Sequence, residues 1–300
     1  MSMSMLAPIT VTPAMLTSDV PITETEWTAG TYNTGDQRYV GIDLYEVVAT
    51  PDTDDEPTAG AAKEVPTWIK VGVINRWRMF DLVIGDATVQ DEAPINVDIT
   101  TGGVVNGIAF FNVSGQSIQV TVTDPTAGLV YDRTISLSSP VGMGSWYKYF
   151  FTRASREDTA VFFDLPRYRD ATISVTVVNE TGADASVGEI AVGEFQVLGD
   201  TMMSFQFGIE DFSRKERDAF GRFVITERGF AKIATYDIFI PNGKVNPTFR
   251  ALAAQRAKPT VYVGDQNRPE TVILGFYKDF ITLRTGPQSS EMTLEIEGLV

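Results

Sequence analysis

The sequence contains no cysteine and no histidine in 300 residues. Without thiols no disulfide framework can form, and without both residue types the ligand set that zinc prefers is missing. The lack of histidine also removes Ser-His-Asp, Cys-His and histidine-dependent nuclease or phosphatase chemistry, leaving carboxylate, Lys, Tyr or Ser chemistry. Long apolar runs are absent too. No window approaches the ~20 apolar residues of a membrane span, and Met1 to Pro8 lacks the basic start and apolar stretch of a signal peptide. Folding in the cytosol that made the chain is therefore expected.

Bases are scarce over the first two thirds. Residues 1–75 carry 11 acids against 3 bases and residues 76–200 carry 16 against 8, whereas residues 201–300 carry 12 against 13, within a net charge of −15. Nucleic acid is an unexpected partner, because phosphate binding needs clustered Lys and Arg. The near-neutral last third is the part least repelled by copies of itself or by other acidic proteins, which makes it the candidate docking region. A solvated charge distribution without that meaning is the plain alternative.

An all-β, multidomain chain is predicted. Residues 1–20 hold Pro8 and Pro13 without a sustained period and read as an extended arm, ordered only if a sheet edge or partner holds it. Residues 21–75 read as a small three-stranded module with turns at Ala29-Gly30 and Thr34-Gly35-Asp36. Residues 76–200 read as a β-sandwich. Ile118, Val120 and Val122 share one strand face, Ile173, Val175 and Val177 another, and the continuous apolar runs Ile108–Val113 and Ala160–Leu165 suit strands buried on both faces. Residues 201–300 read as a β-rich docking domain with one helix near 247–257, capped by Asn246, with Pro247 at its first position and Phe249, Leu252 and Ala253 on one face.

The acidic run Asp52, Asp54, Asp55, Glu56 within Pro51–Lys63 is either a solvated loop or a calcium loop. An EF-hand would need Gly at the sixth position after Asp52, where Pro57 stands, and no helix pattern flanks it. No cofactor or metal is expected.

Trp27, Gly30, Tyr32, Gly35, Asp36, Tyr45 and Trp68 are spaced as in the small chitin-binding modules of the type 5/12 carbohydrate-binding families, which this segment resembles. The resemblance implies a sugar-stacking platform, but where the family places two further aromatics the chain reads Val47, Val48, Ala49, Thr50, and Arg38 replaces an apolar residue. Two readings follow for Trp27, Tyr32, Tyr45 and Trp68: rings used as core, or rings offered to a glycan. The middle domain resembles galactose-binding-like jelly rolls. Asn75-Arg76-Trp77-Arg78-Met79-Phe80-Asp81, the stretch Asp211–Lys215 with Asp218, Phe220 and Gly221, Glu227–Lys232, Gly275–Phe280 and Leu294–Gly298 resemble tail-associated proteins of tailed bacteriophages and prophages. That resemblance implies a virion protein of the tail tip or baseplate, assembled in the host cytoplasm.

Further candidates lie outside the module. Tyr147 and Tyr149, in the dense group Trp146–Phe151, read as core or as a surface that meets sugar or protein. Arg214, Lys215, Arg217 and Asp218, with Tyr277 and Lys278, read as an assembly interface, the mixed-charge run being otherwise an exposed turn. No carboxylate pair sits in a recognisable hydrolase frame, so an enzyme is not expected. The expected function is that of a structural tail component whose partners are other tail proteins and copies of itself. A host-glycan receptor-binding protein is the alternative, and a glycan depolymerase a remoter one.

Overall fold

The computed structural model describes residues 2–50, 55–139, 155–217, 220–266 and 268–299. Tyr147, Tyr149 and Asp218 lie outside the described residues, as do Asp52 and Asp54 of the acidic run. The described chain is mostly β, in several sheets, with two short helices, α1 (Pro57–Ala61) and α2 (Val245–Ala254). None of its helices is long and apolar enough to cross a membrane. Strands are numbered in chain order.

One strand organises the molecule. β15 (Ala185–Asp211) is 27 residues long and passes through three surroundings in turn. Its first third pairs with β6 (Thr88–Gln90) on one edge and β8 (Gly107–Ser114) on the other, and β13 (Ala160–Phe162) follows β8. Facing these strands is a five-stranded antiparallel sheet. Its order is β10 (Gly128–Ser136), β9 (Ser117–Asp124), β14 (Thr172–Val178), β7 (Ile95–Thr100), β2 (Leu16–Ser18). Two-residue alternation puts Ile95, Val97, Ile99, Ile118, Val120, Val122, Ile173, Val175 and Val177 on its inner face, all buried against Ile108, Phe110, Ile190 and Val192. These positions form the sandwich core read from the sequence. β8 is buried on both faces because Ala109 and Phe111 point the other way, into a second core with Leu6, Val261, Val263, Val272 and Leu274.

The middle of β15 belongs to a barrel. It pairs β1 (Ser2–Pro8) through Gly193–Asp200 and β18 (Phe230–Pro241) through Asp200–Asp211. β1 also pairs β19 (Thr260–Val263), β19 pairs β20 (Val272–Leu283), β20 pairs β21 (Ser289–Gly298), and β21 returns to β18. Six antiparallel strands thus close a ring, filled by Met3, Met5, Tyr236, Ile238, Tyr262, Met292, Leu294 and Ile296. Residues 1–20 are therefore held by sheet edges as a barrel stave and a sandwich edge, not left as an arm. The expected boundary at 200–201 falls inside β15, so sandwich and barrel share a strand.

Helix α2 plugs the barrel with Leu252, fully buried, while Ala253 faces solvent. It starts at Val245, two residues before the expected Pro247, and Lys244 rather than Asn246 stands at the cap with no side-chain bond. Pro247 is tolerated there because N–H groups of the first turn have no intrahelical acceptor. Gly264 closes the loop over the plug: a Cβ there would lie 2.3 Å from the Tyr236 ring.

The small module hangs between β2 and β6. It is the antiparallel sheet β3 (Gln37–Val40), β4 (Asp43–Val47), β5 (Trp68–Val73). Two further two-stranded pairs complete the set: β11 (Ser138–Ser139) with β12 (Ser155–Arg156), and β16 (Arg214–Arg217) with β17 (Phe223–Thr226).

Candidate interaction surfaces

Three of the four aromatics proposed for a sugar face in the module are turned inward. Trp68 is fully buried, and Tyr32 and Tyr45 nearly so. Tyr32 meets Trp68 edge-on with ring centroids 5.3 Å apart, and the Arg38 guanidinium lies 5.0 Å from the Tyr32 ring centre. The Trp68 indole N–H donates to the Asp55 carbonyl at 3.1 Å, and the Tyr32 hydroxyl donates to the Thr28 carbonyl. A ring enclosed on both faces cannot stack a pyranose, so Tyr32, Tyr45 and Trp68 act as core, with burial pushing the Tyr45 phenol above its ordinary pKa. Trp27 is half-buried against the same cluster, and its indole N–H has no partner among the described residues. The apolar residues the module does expose, Val48, Val65, Ile69 and Val71, are aliphatic.

Asp55 is likewise committed to the fold. Its buried carboxylate accepts from the Thr67 hydroxyl at 2.6 Å and pairs with Lys63 at 2.7 Å. Burial alone would raise its pKa, but Lys63 and Thr67 outweigh that and hold it low. The loop also forms helix α1, which the sequence reading passed over. Glu56-Pro57 was the available signal, since Pro suits the first helical turn. α1 packs so closely on Trp68 that a Cβ on Gly60 would fall 2.4 Å from the indole.

The motif Asn75–Asp81 builds a clamp between module and sandwich. Asn75–Phe80 is a 3₁₀ turn that buries Asn75, Trp77 and Met79. The Asn75 amide donates to the Val89 carbonyl at 2.8 Å and accepts the Val89 N–H at 2.9 Å. The Asn75 N–H donates to Glu24 at 3.0 Å, the Arg76 guanidinium to the Val20 carbonyl at 2.8 Å, and Arg78 pairs with Glu24 and Asp86.

The largest unsheltered apolar surface lies on the last third of β15. Past Met203 this strand and the start of β18 leave the barrel as a two-stranded ribbon, continued by β16 and β17. Phe207, Ile209, Phe212, Phe223, Val224, Ile225 and Phe230 are all exposed, and all four residues of β17 are exposed, so neither face of the tip is sheltered. The charged candidates sit on this ribbon but largely satisfy one another. Arg214 pairs with Glu216 at 2.7 Å and Lys215 with Asp211 at 2.5 Å, which holds the Asp211 carboxyl far below the ordinary range. Arg217 lies 4.6 Å over the Phe223 ring. Tyr277 packs edge-on against Phe280, and Lys278 pairs with Glu297 at 2.8 Å beside a bulge in β20. The structure brings Lys278 to the ribbon's root: together with Gln206, Phe207 and Glu210 it lines a cavity of about 250 Å³. The exposed apolar positions of the ribbon were missed in favour of its charges. Their signal was the every-second-residue spacing Phe205, Phe207, Ile209 facing Phe223 and Ile225 across a charged turn.

No protein-family model matches the chain, and no curated protein matches it. Among solved structures the chain is similar to chitosan-binding module 1 derived from a chitosanase/glucanase of Paenibacillus sp. IK-5. A selenomethionine-labelled mutant of that module gives a TM-score of 0.27 at 14% identity, covering 39% of this chain and 82% of that one. The module itself gives 0.25 at 15% identity, covering 38% and 81%. The similarity is distant, spans part of the chain, and at these TM-scores carries no argument about what the chain binds.

Proposed function

We propose that the chain is a structural subunit of a bacteriophage tail tip or baseplate, working by assembly and not by turnover. The observation that carries this reading is the ribbon of Phe207–Phe230. A two-stranded ribbon exposed on both faces is marginal in water by itself, and an apolar surface of this extent marks a site that a partner covers. Free sheet edges support it: β1 ends at Ser2, opposite Asp200, so β15 from Thr201 onward has no β1 partner, and β20 beyond Gly275 has no β19 partner. Such edges accept strands from neighbours. The resemblance of Asn75–Asp81, Asp211–Lys232 and Gly275–Phe280 to tail-associated proteins supplies the setting. A chain without His or Cys fits a role in binding better than one in catalysis.

In this reading the small module contributes shape, since its rings are spent on its own core. The test is to purify phage or prophage particles from the source strain and find the chain by mass spectrometry and immuno-electron microscopy. Labelling confined to the tail end is the expected result; absence from every particle overturns the reading.

A further inference from the structure

Assembly leaves open what lies against the ribbon, and charge decides between candidates. Residues 212–232 carry six bases (Arg214, Lys215, Arg217, Arg222, Arg228, Lys232) and three acids (Glu216, Asp218, Glu227). That is a net +3 in a chain of net −15, leaving −18 on the remainder. Two ribbons laid together bring like charge to like, whereas a ribbon against the body of another copy brings opposite charges together. That body also offers an apolar anchor: a cavity of about 240 Å³ between barrel and sandwich, floored by Phe111, Val272 and Leu274, flanked by Ile84 and Leu299, with the exposed Asp158 among its lining. The ribbon's own root, Gly229 and Phe230, also lines this cavity, which leaves its mouth to the tip of another copy.

We propose that the ribbon's occupant is a second copy of this chain, the apolar, basic tip around Phe223 and Ile225 seating on the neighbour's acidic body at the cavity beside Asp158. This rests on the assembly reading and names its partner. Donor and acceptor are different surfaces, so the contact is head-to-tail, and it closes into a ring or runs on as a filament according to the rotation it imposes.

The experiment uses the purified full chain in sedimentation velocity across a concentration series. Two double variants probe the two faces: Phe223→Glu with Ile225→Glu on the ribbon, and Asp158→Arg with Leu299→Arg at the cavity, with circular dichroism confirming that each stays folded. Wild type is expected to self-associate, and to do so more weakly in about 0.5 M salt, where charge attraction is screened. Either double variant should weaken association by roughly tenfold or more, as expected when central contacts of an interface are lost. An equimolar mixture of the two variants should recover a one-to-one pair, because each retains one intact face.

Self-association of the cavity variant unchanged while the ribbon variant is inert would mean ribbon-to-ribbon pairing and overturn the proposal. So would wild type that stays monomeric at every concentration, which would point to a different protein as occupant. A monomeric chain that is nonetheless found in tails sinks this inference alone; a self-associating chain absent from all particles sinks the tail reading instead.

Discussion

Glu189, almost fully buried in β15, accepts the backbone N–H of Leu82 at 2.9 Å, and Leu82 holds a left-handed backbone with φ of 66°. The bond ties the loop after the 3₁₀ turn to the shared strand. Burial first, and the nearby Asp81 carboxylate in addition, push the Glu189 carboxyl from an ordinary 4.5 up to about 9, against the Leu82 N–H, which favours the charged form. Asp81 moves in the same direction, to about 6, again mainly through burial.

A carboxyl whose pKa rises on folding takes up a proton on folding throughout the window between its two values. Its stabilising contribution is therefore complete below about 4.5 and is lost as pH rises through about 9. Glu189→Gln keeps an oxygen for the Leu82 N–H and removes the titration. Thermal midpoints should then be higher than wild type at pH 8 and nearly equal at pH 4, with a gain on the order of 1–3 kcal/mol at the upper end. Parallel wild-type and variant profiles from pH 4 to 9 would refute it.

Gly264 tests the barrel plug. Its Cα faces the Tyr236 ring, whose hydroxyl donates to the Thr271 carbonyl at 3.0 Å, while the Gly264 carbonyl accepts from Thr201 at 2.8 Å. Gly264→Ala forces a methyl group into the ring and should cost about 1–3 kcal/mol, as overpacking does. Denaturant unfolding followed by Tyr236-sensitive near-UV signal measures it. Gly243→Ala, where nothing lies within 4 Å of the added carbon, should be nearly silent.

Trp68 carries the module. Trp68→Ala removes the ring against which Tyr32, α1 and the Asp55 carbonyl all pack, and should destabilise the module by about 3–5 kcal/mol. Because the module hangs between β2 and β6, hydrogen exchange should rise across residues 27–73 while the barrel strands keep their protection. Equal loss in β18 and β21 would show that the module does not unfold separately.

Much of the sandwich was legible because a strand with one wet face writes its burial as alternation. Ile118, Val120 and Val122 could be assigned to the core without coordinates, and the unbroken run Ile108–Val113 marked a strand packed on both sides. The barrel was not legible. Its staves come from opposite ends of the chain, and Ser2–Pro8 carries no local sign that Gly193–Asp200 and Val261–Val263 lie on either side of it. The boundary drawn at 200 followed a shift in charge, but β15 changes partners there and not conformation. In the module, spacing identified the right aromatics and could not say which way they face. Tyr45 and Trp68 turn inward because β4 and β5 close over α1, a helix of five residues, too short to show any period. On the ribbon the charges drew notice, while the exposure of Phe207 and Ile225 depends on what a partner covers, which a single chain does not encode locally.

Asn75 makes the clamp between module and sandwich testable at one side chain. Its amide donates to the Val89 carbonyl and accepts the Val89 N–H, so both backbone groups of that residue are satisfied by one buried side chain. Asn75→Ala leaves a donor and an acceptor without that partner in a buried setting and should cost about 1–3 kcal/mol. Asn75→Asp keeps the acceptor but replaces the donor by a second oxygen facing the Val89 carbonyl, and should be at least as damaging. The readout is the Val89 amide itself: its hydrogen exchange should accelerate in both variants, together with cleavage by protease in the segment 21–26, whose Glu24 is held by the Asn75 N–H and Arg78. Unchanged protection of Val89 in Asn75→Ala would mean that β6 pairing alone holds the junction, and the motif Asn75–Asp81 would lose its role as a clamp.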